Sequence, residues 1–207
     1  FTDAINIAGY RFLMELLEEY QDPRYAEVKA AYDAYLQRLR EVLKSFIKND
    51  DVNDEIFITN QLGRDVQDPP TWPYFCDGPL YLVRYGVIAP DEPVVKQIEN
   101  YFKNRNLFQK GLTGSFQSSI IEYFPSDLHP GYIWYVSTSE IAWFYIALAN
   151  GDRDRARELL YAMYEYAMTE EFYVLERYAS NDPAYAPWSP NASANGRLIN
   201  MMLDYYK

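Results

Sequence analysis

The chain has 207 residues, and its hydrophobic content of 49% is enough to build one domain with a substantial core. Its 19 basic and 30 acidic residues give a formal net charge of -11, which repels nucleic-acid phosphates and anionic lipid surfaces, so we expect neither nucleic acid nor membrane as a partner. A single cysteine and a single histidine exclude an internal disulfide and a zinc site built from these two residue types.

The first part of the chain predicts two pairs of helices. Residues 5–17 are apolar nearly all round, which is typical of a helix buried on every side, and a short turn separates them from an amphipathic helix at 23–48. A long connection at 49–72 leads to a second apolar helix at 74–86 and a second amphipathic helix at 91–104. Each pair is therefore predicted to form one helical hairpin.

The second part of the chain continues this alternation. A long connection at 106–136 leads to an apolar helix at 137–149, and a short turn, NGD, leads on to an amphipathic helix at 152–168. A third long connection at 169–192 precedes a last apolar helix at 193–206. About seven helices are therefore predicted in all.

Long connections are uncommon in compact domains unless they are functional or contain strands, and EIFIT (55–59) and FYVLE (172–176) have strand composition. If the apolar helices form an inner ring and the amphipathic helices an outer ring, all long loops emerge on one face, which is then the functional face. The pattern predicts an all-α fold of the α/α toroid type. Because a toroid of six hairpins needs more than seven helices, we expect residues 1–207 to be its C-terminal portion.

Four segments, by their order and spacing, resemble the six-hairpin glycosidases, most closely the glucoamylase-like glycoside hydrolases. They are CDGPLYLVRYGVIAPDEPVVKQIENYF (76–102), EYFPSDLHPGYIWYVSTSEIAWFYIAL (122–148), LLYAMYEYAMTEEFYVLERY (159–178) and PWSPNASANGRLI (187–199). The first is similar to an inner helix, a turn and an outer helix of the bacterial members. The third looks like the segment that ends in the family's general-base glutamate.

The resemblance implies an inverting glycoside hydrolase that acts on an α-linked glucan or oligosaccharide without a metal or an organic cofactor. It assigns the catalytic base to Glu176 and places Trp134 and Asp127 on the substrate-face loop. The general acid of the family falls before Phe1, in the remaining N-terminal half of the toroid, which is therefore an expected partner. Substrate preference is open, because Tyr123 stands where the family usually has a sugar-binding arginine.

Each candidate residue also has an ordinary structural interpretation. Glu176 lies in LERYASNDPAYAPWSPN (175–191), where it either activates water for acetal hydrolysis or forms a solvated ion pair with Arg177. Asp77 either binds a sugar hydroxyl or caps the helix that starts near it. Asp127 either contacts substrate or belongs to a turn, which is the common use of Asp beside Pro and Ser.

Three tryptophans, Trp72, Trp134 and Trp188, occur in or beside the long loops. Their rings either stack on the apolar face of a pyranose or close the packing above the inner helices. We expect the first role at the substrate site, and we also expect Tyr123 to line that site.

Two other functions are compatible with the sequence. The first is a non-catalytic carbohydrate-binding or regulatory module on the same fold, which the loss of the family's arginine at Tyr123 and of its glutamate at Ser126 would suit. The second is a terpene cyclase-like protein, because DDVND (50–54) matches an aspartate motif that holds magnesium against a diphosphate. No second motif of this kind is present, so a solvated turn is the preferred interpretation of DDVND.

Overall fold

The computed structural model describes residues 2–58, 74–104, 106–116, 132–134, 139–174, 178–179 and 192–207. Over these ranges the chain forms seven helices, each at a predicted position and with ends within about three residues of the prediction. They are α1 (Thr2–Glu19), α2 (Tyr25–Phe46), α3 (Tyr74–Arg84), α4 (Pro93–Asn104), α5 (Ser139–Ala149), α6 (Arg153–Tyr166) and α7 (Ala192–Tyr205). The mainly helical fold is confirmed. No helix in these ranges is long and apolar enough to cross a membrane.

Six short strands accompany the helices. They are β1 (Ile47–Asp50), β2 (Glu55–Ile58), β3 (Phe108–Gln109), β4 (Leu112–Phe116), β5 (Tyr132–Trp134) and β6 (Tyr178–Ala179). Strands β1 and β2 form a hairpin, and β3, β4, β5 and β6 form a second antiparallel sheet in that order. The predicted strand EIFIT is confirmed as β2.

The predicted strand FYVLE is wrong over its described residues. Phe172 has a left-handed φ of 63°. The N–H of Thr169 donates to the carbonyl of Tyr173, and the N–H of Phe172 donates to the carbonyl of Thr169. Met168 and Val174 are joined by a single antiparallel bridge. The segment is therefore a tight turn, because a residue with positive φ reverses the chain rather than extending it.

The helices pack in two hairpins, α1 with α2 and α5 with α6, which are joined through α3. Helix α1 packs against α2 and α3, α3 against α5, and α5 against α6 and α7. Helix α4 packs on β2 and reaches α5 through Phe102, whose ring lies 5.6 Å from that of Trp143 at 87°. Thus α1, α3, α5 and α7 form one row of adjacent helices, which we call the inner row. Helix α2 packs against α1, and α6 packs against α5 and α7.

Two of the four apolar helices, α3 and α5, are buried as expected. Leu80 to Val83 of α3 and Glu140 to Phe144 of α5 are consecutive buried residues. The same expectation is wrong for α1 and α7, because Phe12 is 63% exposed and Leu203 is 58% exposed. These two helices stand at the ends of the row, where the described residues provide an inner-row neighbour on one side only.

The short turns that follow α1, α3 and α5 have the same pair of backbone hydrogen bonds. Gly86 donates its N–H to Val83 and the next residue donates to Leu82, which is the hydrogen-bond pattern of a Schellman motif. Gly151 and Gln21 occupy the equivalent positions after α5 and α1, and all three have positive φ, of 71°, 72° and 52°. The three positions are evenly spaced in the chain.

A polar cluster joins the C-terminal parts of three inner helices. The guanidinium of Arg84 lies 4.5 Å from the ring centre of Tyr145, whose hydroxyl donates to Asp204 at 2.8 Å. Burial and this hydrogen bond raise the pKa of Tyr145. Lys207 and the Tyr145 hydroxyl lower the pKa of Asp204. The cluster therefore links α3, α5 and α7 directly.

Candidate functional site

The four-stranded sheet gathers segments from two of the long connections. Strands β3, β4 and β5 belong to the connection before α5, and β6 belongs to the connection before α7. Within the sheet, Trp134 of β5 is paired with Gly114 of β4 on one side and with Tyr178 of β6 on the other. The sheet thus brings the backbone of Trp134 beside a residue that follows Glu176 by two positions in the sequence.

The chain before Glu176 is held by a different element. Near the start of α7, the side-chain amide of Asn195 accepts the N–H of Val174 at 3.0 Å and donates to the carbonyl of the same residue at 3.4 Å. One amide side chain therefore satisfies both backbone groups of Val174, as a neighbouring strand would. Val174 precedes Glu176 by two positions, so the chain is anchored on both sides of residues 175–177.

A buried carboxylate attaches the sheet to the helices. Glu140, the second residue of α5, is fully buried and accepts the backbone N–H of Thr113 on β4. Its position at a helix N-terminus favours a negative charge, because the first N–H groups of a helix point toward it. Glu140 thereby fixes β4, and β4 in turn sets the register of β5.

Sequence reasoning missed Glu140 as a residue of this region. The signal that could have found it is the single acidic residue within STSEIAWFYIALA, a segment that is otherwise apolar or uncharged. A carboxylate in such a segment requires a buried hydrogen-bond donor, and here a sheet N–H provides one. Glu140 and Asn195 both lie in the first turn of an inner helix, so the N-terminal ends of α5 and α7 carry the two anchors.

The described residues include two of the predicted site residues, Trp134 and Asp77. Trp134 lies on β5, and Asp77 lies within α3, three residues after Tyr74, so Asp77 does not occupy an N-cap position. The remaining candidates lie outside the described residues: Trp72, Tyr123, Ser126, Asp127, Glu176 and Trp188. Only the segments before and after Glu176 are therefore located.

The motif DDVND forms the turn between β1 and β2. Asp50 accepts the N–H groups of Val52 and Asn53 at 3.0 and 3.3 Å, which is how an aspartate stabilises a tight turn. Asp54 accepts the side-chain amide of Gln97 at 3.1 Å. Two of the three aspartates thus serve the hairpin and its attachment to α4. Across the described ranges, no group of three or more His, Cys, Asp or Glu side chains could hold a metal ion.

Comparisons of the chain with protein-family models, curated proteins and solved structures give no match. The site is therefore characterised by its own geometry. It consists of an antiparallel sheet fixed to α5 by Glu140 and a chain segment fixed to α7 by Asn195, and these meet on either side of residues 175–177.

Proposed function

We propose that this chain forms part of a glycoside hydrolase of the glucoamylase-like type, which hydrolyses an α-linked glucan or oligosaccharide with inversion at the anomeric carbon. The observation that carries the proposal is the double anchoring of the segment around Glu176. Asn195 holds the chain two residues before it, and the pairing of Tyr178 with Trp134 holds the chain two residues after it. A catalytic base requires a backbone fixed in this way.

The chemistry assigned to Glu176 is the activation of water. In an inverting glycosidase, one carboxylate removes a proton from a water molecule while a carboxylic acid on the other side of the sugar protonates the leaving oxygen. The two carboxyl groups are separated by roughly 6.5 to 9.5 Å so that the water fits between the base and the sugar. The acid is proposed to lie in a separate N-terminal half of the toroid.

The substrate is proposed to be held mainly by aromatic faces. Trp134 would stack on a pyranose ring, because the apolar C–H face of a sugar fits an indole ring. The other proposed contacts are Trp72, Asp77, Tyr123, Asp127 and Trp188. No metal or organic cofactor takes part in this mechanism.

The mechanism can be tested in a protein that contains this chain together with the proposed N-terminal half. Hydrolysis of an α-linked glucose oligosaccharide is expected to release the β-anomer first, which proton NMR detects before mutarotation. Glu176→Gln is expected to lower kcat by about a thousandfold or more with substrate binding largely kept, because an amide keeps the shape of the side chain but cannot take the proton.

Glu171→Gln is the matched control, since Glu171 is an exposed carboxylate in the turn just before the site and its loss is expected to leave kcat unchanged. Initial release of the α-anomer, or near-normal turnover by Glu176→Gln, would remove Glu176 from the role of base. Binding of the oligosaccharide without release of reducing sugar would favour a carbohydrate-binding module instead.

A further inference from the structure

The turn between Met168 and Val174 presents an aromatic side chain to solvent. Phe172 is 74% exposed, and within the described ranges its ring contacts no other aromatic ring. A single exposed apolar side chain is common on protein surfaces and needs no explanation by itself. Phe172 differs from such residues in the backbone conformation that carries it.

The backbone of this turn places Phe172 where glycine is the usual residue. The N–H of Phe172 donates to the carbonyl of Thr169 at 3.0 Å, and the N–H of Thr169 donates to the carbonyl of Tyr173 at 2.9 Å. These bonds close a three-residue hairpin loop whose last residue has positive φ, which is 63° at Phe172. Glycine is favoured at that position because it has no Cβ atom. A phenylalanine there carries conformational strain.

The other residues with this conformation differ from Phe172 in polarity. Over the described part of the chain, four more non-glycine residues have positive φ, and all are polar: Gln21, Asp54, Asn106 and Lys110. Polar side chains can hydrogen-bond to the local backbone or to water, which a phenylalanine cannot do. Neither local bonding nor aromatic packing therefore accounts for Phe172. Residues kept in a strained conformation cluster at ligand-binding and active sites.

The turn is fixed in place and belongs to the segment that leads to Glu176. Met168 and Val174 close it through an antiparallel bridge, and Asn195 of α7 binds both backbone groups of Val174. Phe172 precedes Glu176 by four residues, which span at most about 14 Å even when fully extended. A ligand at Glu176 that is a few sugar units long can therefore reach the ring. A ring on a fixed backbone loses little freedom when a ligand binds, so its contact energy is retained.

We propose that Phe172 is a substrate-binding residue whose ring stacks on one sugar unit of the oligosaccharide bound at Glu176. The apolar C–H face of a pyranose fits an aromatic ring. This inference rests on the proposed function, which supplies the oligosaccharide as the ligand, and it adds a contact that the sequence resemblance does not assign. The ring has no group that takes part in bond breaking, so it binds the substrate equally in the ground state and the transition state.

Three substitutions at position 172 separate the ring from the backbone. Phe172→Gly removes the ring and relieves the strain, so Tm is expected to rise by about 2 to 4 °C. Phe172→Ala removes the ring but keeps the left-handed strain, so its Tm is expected to stay near that of the parent. Phe172→Trp keeps an aromatic face and is the conservative replacement. Tyr20→Ala is the matched control, because Tyr20 is 76% exposed and lies in the turn between α1 and α2.

Oligosaccharide binding is measured in a protein that contains this chain together with the proposed N-terminal half. Calorimetry in a Glu176→Gln background, which is used to prevent turnover, gives the Kd for an α-linked glucose oligosaccharide. Phe172→Gly and Phe172→Ala are both expected to raise Kd by about three- to tenfold, whereas Phe172→Trp and Tyr20→Ala are expected to change it by less than about twofold. With Glu176 intact, Phe172→Gly is expected to raise KM by the same factor and to leave kcat unchanged.

An unchanged Kd in Phe172→Gly overturns this inference, and the proposed function stands if the same protein hydrolyses the oligosaccharide. A lower Tm of Phe172→Gly in this larger protein also overturns it, because the ring would then pack against protein rather than against a ligand. Absence of oligosaccharide binding by the parent overturns both proposals. Binding without hydrolysis, weakened in both variants that lack the ring, supports the contact at Phe172 and overturns the assignment as a hydrolase.

Discussion

Replacing Gly86 with alanine tests how the first hairpin is attached to the turn after α3. A Cβ atom at this position would lie 2.9 Å from Nη2 and 3.1 Å from Nη1 of Arg11. Gly151 is a matched control, because it has almost the same φ, 72° against 71°, and the same position in its turn, but nothing lies within 4 Å of its added Cβ. The two substitutions therefore share the backbone cost and differ in the contact with Arg11.

The expected magnitudes follow from these contacts. Alanine in a left-handed conformation costs about 1 to 2 kcal/mol, which is the whole effect expected for Gly151→Ala. At Gly86 the guanidinium must also move, and this weakens the hydrogen bond from Arg11 Nε to the hydroxyl of Tyr32, which is 2.9 Å long. Such a bond contributes about 0.5 to 1.5 kcal/mol, so Gly86→Ala is expected to cost about 1 kcal/mol more than Gly151→Ala.

Urea unfolding followed by circular dichroism measures the free energy of unfolding of both variants. The two values can be compared if the free energy falls with urea concentration at the same slope in both. In an Arg11→Ala background, the excess cost at Gly86 should disappear, since the clashing group is gone. Equal costs for Gly86→Ala and Gly151→Ala in the parent chain would refute the contact. An excess that persists without the guanidinium would assign it to the backbone instead.

Three further predictions concern the site and the inner row. Glu140→Leu is expected to cost about 1 to 3 kcal/mol in chemical unfolding because a buried N–H of β4 loses its acceptor, and Glu140→Gln is expected to cost less. Tyr145→Phe is expected to cost about 1 kcal/mol at pH 7. Lys207 and Tyr145 lower the pKa of Asp204, so the stability that the Asp204 carboxylate contributes is present above the ordinary pKa of an aspartate and is lost as the pH falls through the lowered pKa. The cost of Tyr145→Phe in the free energy of unfolding should therefore become smaller at acid pH. Trp134→Ala is expected to weaken oligosaccharide binding measured by calorimetry without a large change in Tm; a large loss of stability with unchanged affinity would instead mean that the ring packs in the core.

The helices could be predicted from sequence because their signal is local. In α4, for example, Val95, Ile98, Tyr101 and Phe102 recur at helical spacing, and all four are buried on one side. The burial of α1 and α7 could not be predicted in the same way. An apolar side chain such as Phe12 shows that a surface can be covered, but the sequence does not state which element covers it.

The candidate site was harder to predict because its contacts join distant segments. Over the described residues, β6 has two residues and β5 has three, which is too short for the alternation of apolar and polar residues that identifies a strand. Their register depends on pairing across the sheet rather than on either segment alone. The buried carboxylate of Glu140 was missed for a similar reason, since its donor, the N–H of Thr113, lies 27 residues earlier in the chain.

The pairing of Trp134 with Tyr178 has a consequence for the order of folding. The α1–α2 and α5–α6 hairpins are built from contacts between neighbouring segments and can form early, whereas the pairing of β5 with β6 must close the long loop that contains α5 and α6. We therefore expect this pairing to form last during refolding. In the native state, the amide protons of β5 and β6 should exchange with solvent through local opening, faster than those of α3 and α5. Local opening of this pairing would release the chain after Glu176 while the helical scaffold stays folded.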